Sequence, residues 1–176
     1  MNRSARMPCA NLPSMNSKVR SALAASAFAS IREMIAGRVN LIEDFQTLRI
    51  DPGSPGSFAI EVRDEVKELA VFAGAWHSHL EDPNDVCNCV MWLLTPFYRI
   101  VQVERRESPV TARLERFEPP GQWELVEETG TFAGWYGRRR NLVTTTLQQR
   151  VLEAPPEFLA QFGPGVVGDN GFPTLT

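Results

Sequence analysis

Hydrophobic positions change period along this chain. Leu23, Ala27, Ile31, Met34 and Ile35 recur at helical spacing, so the spacing predicts a helix over 17–36 with one apolar face. Ser17 suits its N-cap and Gly37 its C-terminal stop. The stretch 45–50, FQTLRI, reads as a short strand, and 51–57, DPGSPGS, as a loop. From Phe58 the period falls to two, with Phe58, Ile60 and Val62 on one face. RDEVK (63–67) then turns, and ELAVFAGAWHSHL (68–80) returns as one strand. Gly74 inside that strand marks a bulge or a close backbone approach.

A second helix is predicted over 82–97, capped by Asn84 or Asp85 and ended by Pro96, with Val86, Val90, Leu93 and Leu94 as its stripe. Three strands follow at 98–106, 109–118 and 121–132. A β-branched run at 140–153 gives a further strand, and PEFLAQF (156–162) a short helix. Sequential strands joined by short turns favour antiparallel pairing. The expected class is therefore α+β: a mostly antiparallel sheet, hairpin plus meander, with one or two helices packed on one face. Residues 1–16 carry two prolines and no apolar period, so they read as a flexible N-terminal tail before a single domain over 17–176.

Bulk composition narrows the function. Of 176 residues, 43% are hydrophobic and 22% charged, with a net charge of −3, which is ordinary for a globular domain. An acidic balance argues against general nucleic-acid binding, which calls for a basic face. No stretch approaches the ~20 apolar residues of a membrane span. Cys9, Cys87 and Cys89 are an odd number and make no disulfide framework. A soluble protein of a reducing cytoplasm is expected. Lys18 and Lys67 are the only lysines among 18 basic residues, an arginine bias that reflects a GC-rich, bacterial-type coding sequence.

Both histidines fall in GAWHSHLED (74–82). On a strand, His77, His79 and Glu81 share one face, and Trp76, Ser78 and Leu80 the other. Two imidazoles and a carboxylate are the ligand types of an open Zn²⁺ or Fe²⁺ site, with Asp82 or Asp85 as the alternative acid. Three alternate positions on a straight strand fan out over roughly 13 Å, so the third donor needs a bend after His79, where Pro83 and the helix start allow one. Zinc or another divalent transition metal is the cofactor this set would take. His77-x-His79 after a tryptophan resembles, in part, the JAMM metalloprotease signature. That signature continues with Pro, Ser and Asp, where this chain has Leu80, Cys87 and Val90. Amidohydrolases also carry His-x-His at a strand end, on a barrel longer than this chain. Neither family is assigned.

Cys87 and Cys89, two apart on a helix, point in opposite directions. In GWYGRRRN (134–141), arginines beside Trp135 and Tyr136 suit an acidic protein partner better than nucleic acid, given the net negative charge. Trp76, Trp135, Tyr136, Arg138 and Arg139 form the expected partner-binding set, since tryptophan, tyrosine and arginine dominate interface hot spots. No GxSxG motif is present. The sequence thus favours a protein-interaction module, in the manner of an immunity protein that neutralises a toxin. The alternative is a metal-dependent hydrolase or metalloprotein centred on His77 and His79. A homodimer is compatible with either.

Overall fold

The computed structural model describes residues 20–53, 57–65, 67–105, 108–130, 142–163, 165–168 and 173. Helix α1 spans Ala22–Ile35. It is followed by β1 (Asn40–Glu43), β2 (Thr47–Asp51), β3 (Ile60–Asp64), β4 (Leu69–Ala73) and β5 (Trp76–Leu80). Next come α2 (Pro83–Leu93), β6 (Tyr98–Arg105), β7 (Ser108–Glu118), β8 (Gln122–Gly130), β9 (Leu142–Gln148) and the short α3 (Pro156–Leu159). The α+β class holds, and every strand pair is antiparallel. The strands divide between two sheets, a five-stranded meander in the order β1-β2-β3-β4-β5 and a four-stranded sheet in the order β8-β7-β6-β9. Ser17 and the 1–16 tail lie outside the described residues.

Local chemistry sets the helix ends. Ser21 is the N-cap of α1, its Oγ accepting from the Ala24 N–H at 3.1 Å. Ser21 in turn donates its own N–H and Oγ–H to the Asp64 carboxylate, at 2.7 and 2.8 Å. Asp64 belongs to β3 and is 7% exposed, so the start of α1 is tied to the first sheet by a paired buried acid. The turn after α1 uses Gly37 at φ +72°, as a C-terminal stop requires. Helix α2 is capped by Asp82, accepting from the Asn84 N–H at 2.7 Å, rather than by Asn84 or Asp85. The reason is Pro83: it lacks an N–H and its fixed φ suits the first helical position, which leaves Asp82, the residue before it, as the cap.

The 68–80 stretch is not one strand. Ala73 pairs with Trp76, leaving Gly74 and Ala75 as a two-residue turn between β4 and β5. Gly74 sits at φ +59°, a left-handed conformation that glycine adopts freely and that opens many tight hairpins. A Cβ at this position would also run into Gln102 Oε1. That oxygen accepts the Ala75 N–H at 2.5 Å. Gln102 is a buried residue of β6, so the turn of one sheet is seated on a strand of the other.

Helices α1 and α2 pack on each other, α1 against β3 and α2 against β4, β5 and β6. One apolar cluster joins both helices, the first sheet, and Ile100, Ala112 and Leu114 of the second. A smaller aromatic cluster of Phe97 and Phe117 holds Phe158 and Phe162, around α3, against the second sheet.

Gly74→Ala should lower stability by about 1.5–3.5 kcal/mol. The left-handed conformation costs roughly 1–2 for a residue with a Cβ, and displacing the Gln102 amide removes a part-buried hydrogen bond worth roughly 0.5–1.5 more. Urea unfolding measures this. A loss below about 0.5 kcal/mol would mean that the turn does not depend on its seat.

Candidate functional site

Strand β5 presents two different surfaces. Its burial alternates from Trp76, which is 1% exposed, to exposed His79. His77 and His79 share the outer face, with ring centroids 5.6 Å apart and edge-on. His77 stacks on its cross-strand partner Phe72 at 5.5 Å. It also borders a shallow depression lined by Thr111, Thr129 and Gly130 of the second sheet.

His79 Nδ1 lies 3.0 Å from Glu68 Oε1 and 3.5 Å from Glu65 Oε2. Among the described residues, these three side chains bring their ligand atoms within 4.8 Å of one another. The geometry offers one imidazole and two carboxylates, donors suited to a divalent transition metal. The acids come from the turn between β3 and β4, while the acids expected from the sequence lie elsewhere. Glu81 is exposed in the bend after β5. Asp82 caps α2, and Asp85 lines a cleft beneath the inner face of β5. Glu65 and Glu68 reach His79 because β4 and β5 fold back on each other with Ala70 opposite His79. The Gly74-Ala75 turn is the signal that would have located them.

The inner face of β5 forms one wall of that cleft. Trp76, Ser78 and Leu80 face Asp85, Cys89, Trp92 and Leu93 of α2. Tyr98 and Leu114 line it from β6 and β7, and Val126 and Glu127 from β8, around a volume of about 240 Å³. Most of the lining is apolar or aromatic, with two carboxylates. Ser78 Oγ–H donates to Glu127 Oε1 at 3.3 Å. Neither Asp85 nor Glu127 pairs with a basic side chain among the described residues. Trp76 keeps its Nε1 buried without a hydrogen-bond partner, a rare condition for an indole donor.

Burial pushes the Cys89 thiol up to about 12, with the Glu127 charge adding to the effect. Burial likewise raises the Tyr98 phenol, against a hydrogen bond from Arg116. Cys87, on the opposite side of α2, is buried with its Sγ 3.8 Å from the Ala27 carbonyl of α1. The expected divergence of the two thiols is thus observed. Trp76 is a wall of the cleft and not an exposed knob. Trp135, Tyr136, Arg138 and Arg139 lie outside the described residues. No helix among the described residues is long and apolar enough to cross a membrane.

With its thiol raised to about 12, Cys89 should be alkylated by iodoacetamide at pH 8 on the order of a thousandfold more slowly than in the urea-unfolded chain, because only the thiolate reacts. Peptide mass mapping reads the rate, and equal rates would refute the buried thiol. The shift also has a stability sign. The folded value lies above the 9.0 of an ordinary thiol, so the contribution of Cys89 is complete below pH 9 and falls as pH rises from there towards 12.

Compared with protein-family models, curated proteins and solved structures, the chain finds no match, and what the cleft does has to be read from its own chemistry.

Proposed function

We propose that this chain is a protein-binding module that receives a segment of its partner in the cleft between β5, α2 and β8. The carrying observation is the cleft itself, a concave surface walled by Trp76, Leu80, Trp92, Tyr98, Leu114 and Val126. The volume supports the same reading. At about 240 Å³ the cleft is smaller than the ~300–1,000 Å³ of sites that take cofactors or drug-sized molecules, and it suits one or two side chains. Val126 of β8, which lines it, is 49% exposed, giving apolar surface at the mouth of an anchoring pocket.

Binding fits the cleft better than nucleophilic chemistry. Both histidines lie on the other face of β5, and the Cys89 thiol is held protonated. The acidic balance and the free thiols Cys87 and Cys89 suit a cytoplasmic partner.

A photo-crosslinking amino acid at Val126 should trap one partner that a control at Gln122 does not. Ser78→Trp, which fills the cleft, should weaken binding of that purified partner by at least about tenfold without lowering the thermal midpoint. Unchanged affinity in the filled variant would end this reading.

A second reading rests on the juxtaposed ligand atoms of Glu65, Glu68 and His79. A Zn²⁺ or similar ion held there would lower the pKa of a bound water and make a nucleophile at neutral pH. Calorimetric titration with Zn²⁺ should give about one equivalent bound, lost in His79→Ala and in Glu68→Gln. Loss in His77→Ala and Glu81→Gln, with Glu68→Gln still binding, would place the ion on the sequence-adjacent set instead. No heat of binding at millimolar Zn²⁺ would remove the metalloprotein reading.

A further inference from the structure

We infer that two copies of this chain associate through β9, paired antiparallel about a two-fold axis at Thr145, so that their second sheets join edge to edge. The contact is apart from the cleft. In the order β8-β7-β6-β9, the cleft strand β8 and the pairing strand β9 are opposite edges of one sheet.

An edge strand turns the N–H and C=O groups of alternate residues away from its sheet, and natural edges are guarded against pairing with another chain. The other edges of this molecule carry such guards. β1 is four residues long and contains Glu43, which is paired with Arg20 and Arg32. β5 packs against β7 and β8 of the second sheet. β8 carries Glu124, Glu127 and Glu128, and its ladder with β7 skips Val126, a bulge that breaks the register. β9 has none of these devices. Its sequence, LVTTTLQ, includes no charge, proline or glycine and is β-branched from Val143 to Thr146. Its ladder with β6 runs unbroken from Leu142 to Gln148. No strand among the described residues pairs with its other side. A regular, uncharged edge of this kind is what strand addition requires.

The side chains select a second copy as the occupant. Val143, Thr145 and Leu147 share one face of β9. Leu147 packs on the main apolar cluster, yet Val143, at the other end of the same face, is 59% exposed. Centring the pair on Thr145 sets Val143 opposite Leu147 of the second copy, and does so twice. The apolar side chain that its own chain leaves uncovered thereby gains an apolar neighbour on the core-facing side. On the other face Thr144 meets Thr146, and Leu142 meets Gln148. A strand that matches itself when reversed suits an isologous contact. Charge agrees with this choice. Each chain carries a net charge of −3, and β9 lets two of them meet along a seam that contributes none of it.

The test is sedimentation velocity of the full chain from about 5 to 500 μM. The 19.7 kDa monomer should give way to a dimer as concentration rises. Thr144→Glu/Thr146→Glu and Thr144→Lys/Thr146→Lys change exposed side chains, and each sets like charges opposite each other at two places in the seam. Each variant should dimerise at least about tenfold more weakly, with its thermal midpoint unchanged. An equimolar mixture of the two should dimerise again, because acid then faces base. A wild-type chain that stays monomeric at about 500 μM would overturn the inference. So would a dimer that persists equally in both variants, or a mixture of folded variants that fails to recover. If either variant unfolds, cysteine pairing decides. Thr145→Cys should link two copies on oxidation, because residues directly opposite in an antiparallel pair lie within disulfide reach, whereas Thr144→Cys should not. Equal linking of the two cysteine variants would overturn the pairing.

Discussion

The side-chain amide of Gln102 couples the two sheets, and the placement of everything around β5 depends on it. Its Oε1 accepts the Ala75 N–H in the turn between β4 and β5, and its Nε2 donates to Glu104 at 3.2 Å. A buried amide in the strand of one sheet thus satisfies a turn in the other. Losing that part-buried hydrogen bond costs roughly 0.5–1.5 kcal/mol. The bond therefore fixes where β5 starts as well as how it is oriented. Gly74 is the residue that lets the backbone come this close, since any Cβ would occupy the space of the accepting oxygen.

Seating the turn in this way places β5 against β7 and β8 of the second sheet. Because side chains alternate along a strand, the two faces of β5 acquire unrelated surroundings. The outer face meets water and the acids of the β3–β4 turn, so His79 is exposed, with its Nδ1 3.0 Å from Glu68 Oε1. The inner face meets α2 and β8, where Trp76, Cys89 and Tyr98 are withdrawn from water. The histidines and the cleft are consequently separate sites, although His77 and Ser78 are adjacent in the chain.

The cleft itself departs from the economy of the rest of the molecule. Among the described residues, Asp64 is satisfied by Ser21, Thr95 by the Trp92 carbonyl, and Gln149 by the Phe58 carbonyl. At Trp76 the indole Nε1 is buried without a hydrogen-bond partner, and neither Asp85 nor Glu127 of the same cleft pairs with a basic side chain among the described residues. Local departures of this kind are where sequences trade stability for function. They distinguish the inter-sheet cleft from the smaller depression by His77, whose lining includes no charged side chain among the described residues.

Periodicity and turn chemistry by themselves determined the class and nearly all of the elements. The 3.6-residue stripe of Leu23 to Ile35, the alternation of Phe58, Ile60 and Val62, and the β-branched run from Leu142 each mark a real helix or strand. Such signals are legible because they are local: each residue reports the polarity on its own side of the backbone. Two features were not legible for the same reason. β1 escaped notice because its residues are mostly exposed and carry little apolar pattern. The split at Gly74 escaped because alternation continues on both sides of a two-residue turn, and only the contact with Gln102, 28 residues downstream of Gly74 and in the other sheet, shows that the chain reverses. The face shared by His77 and His79 was set by spacing alone. The acids beside His79, Glu65 and Glu68, and the placing of Asp85 and Glu127 on one cleft, were decided by strand pairing and by the packing of α2 against both sheets, because long-range proximity leaves no trace in the order of residues along the chain.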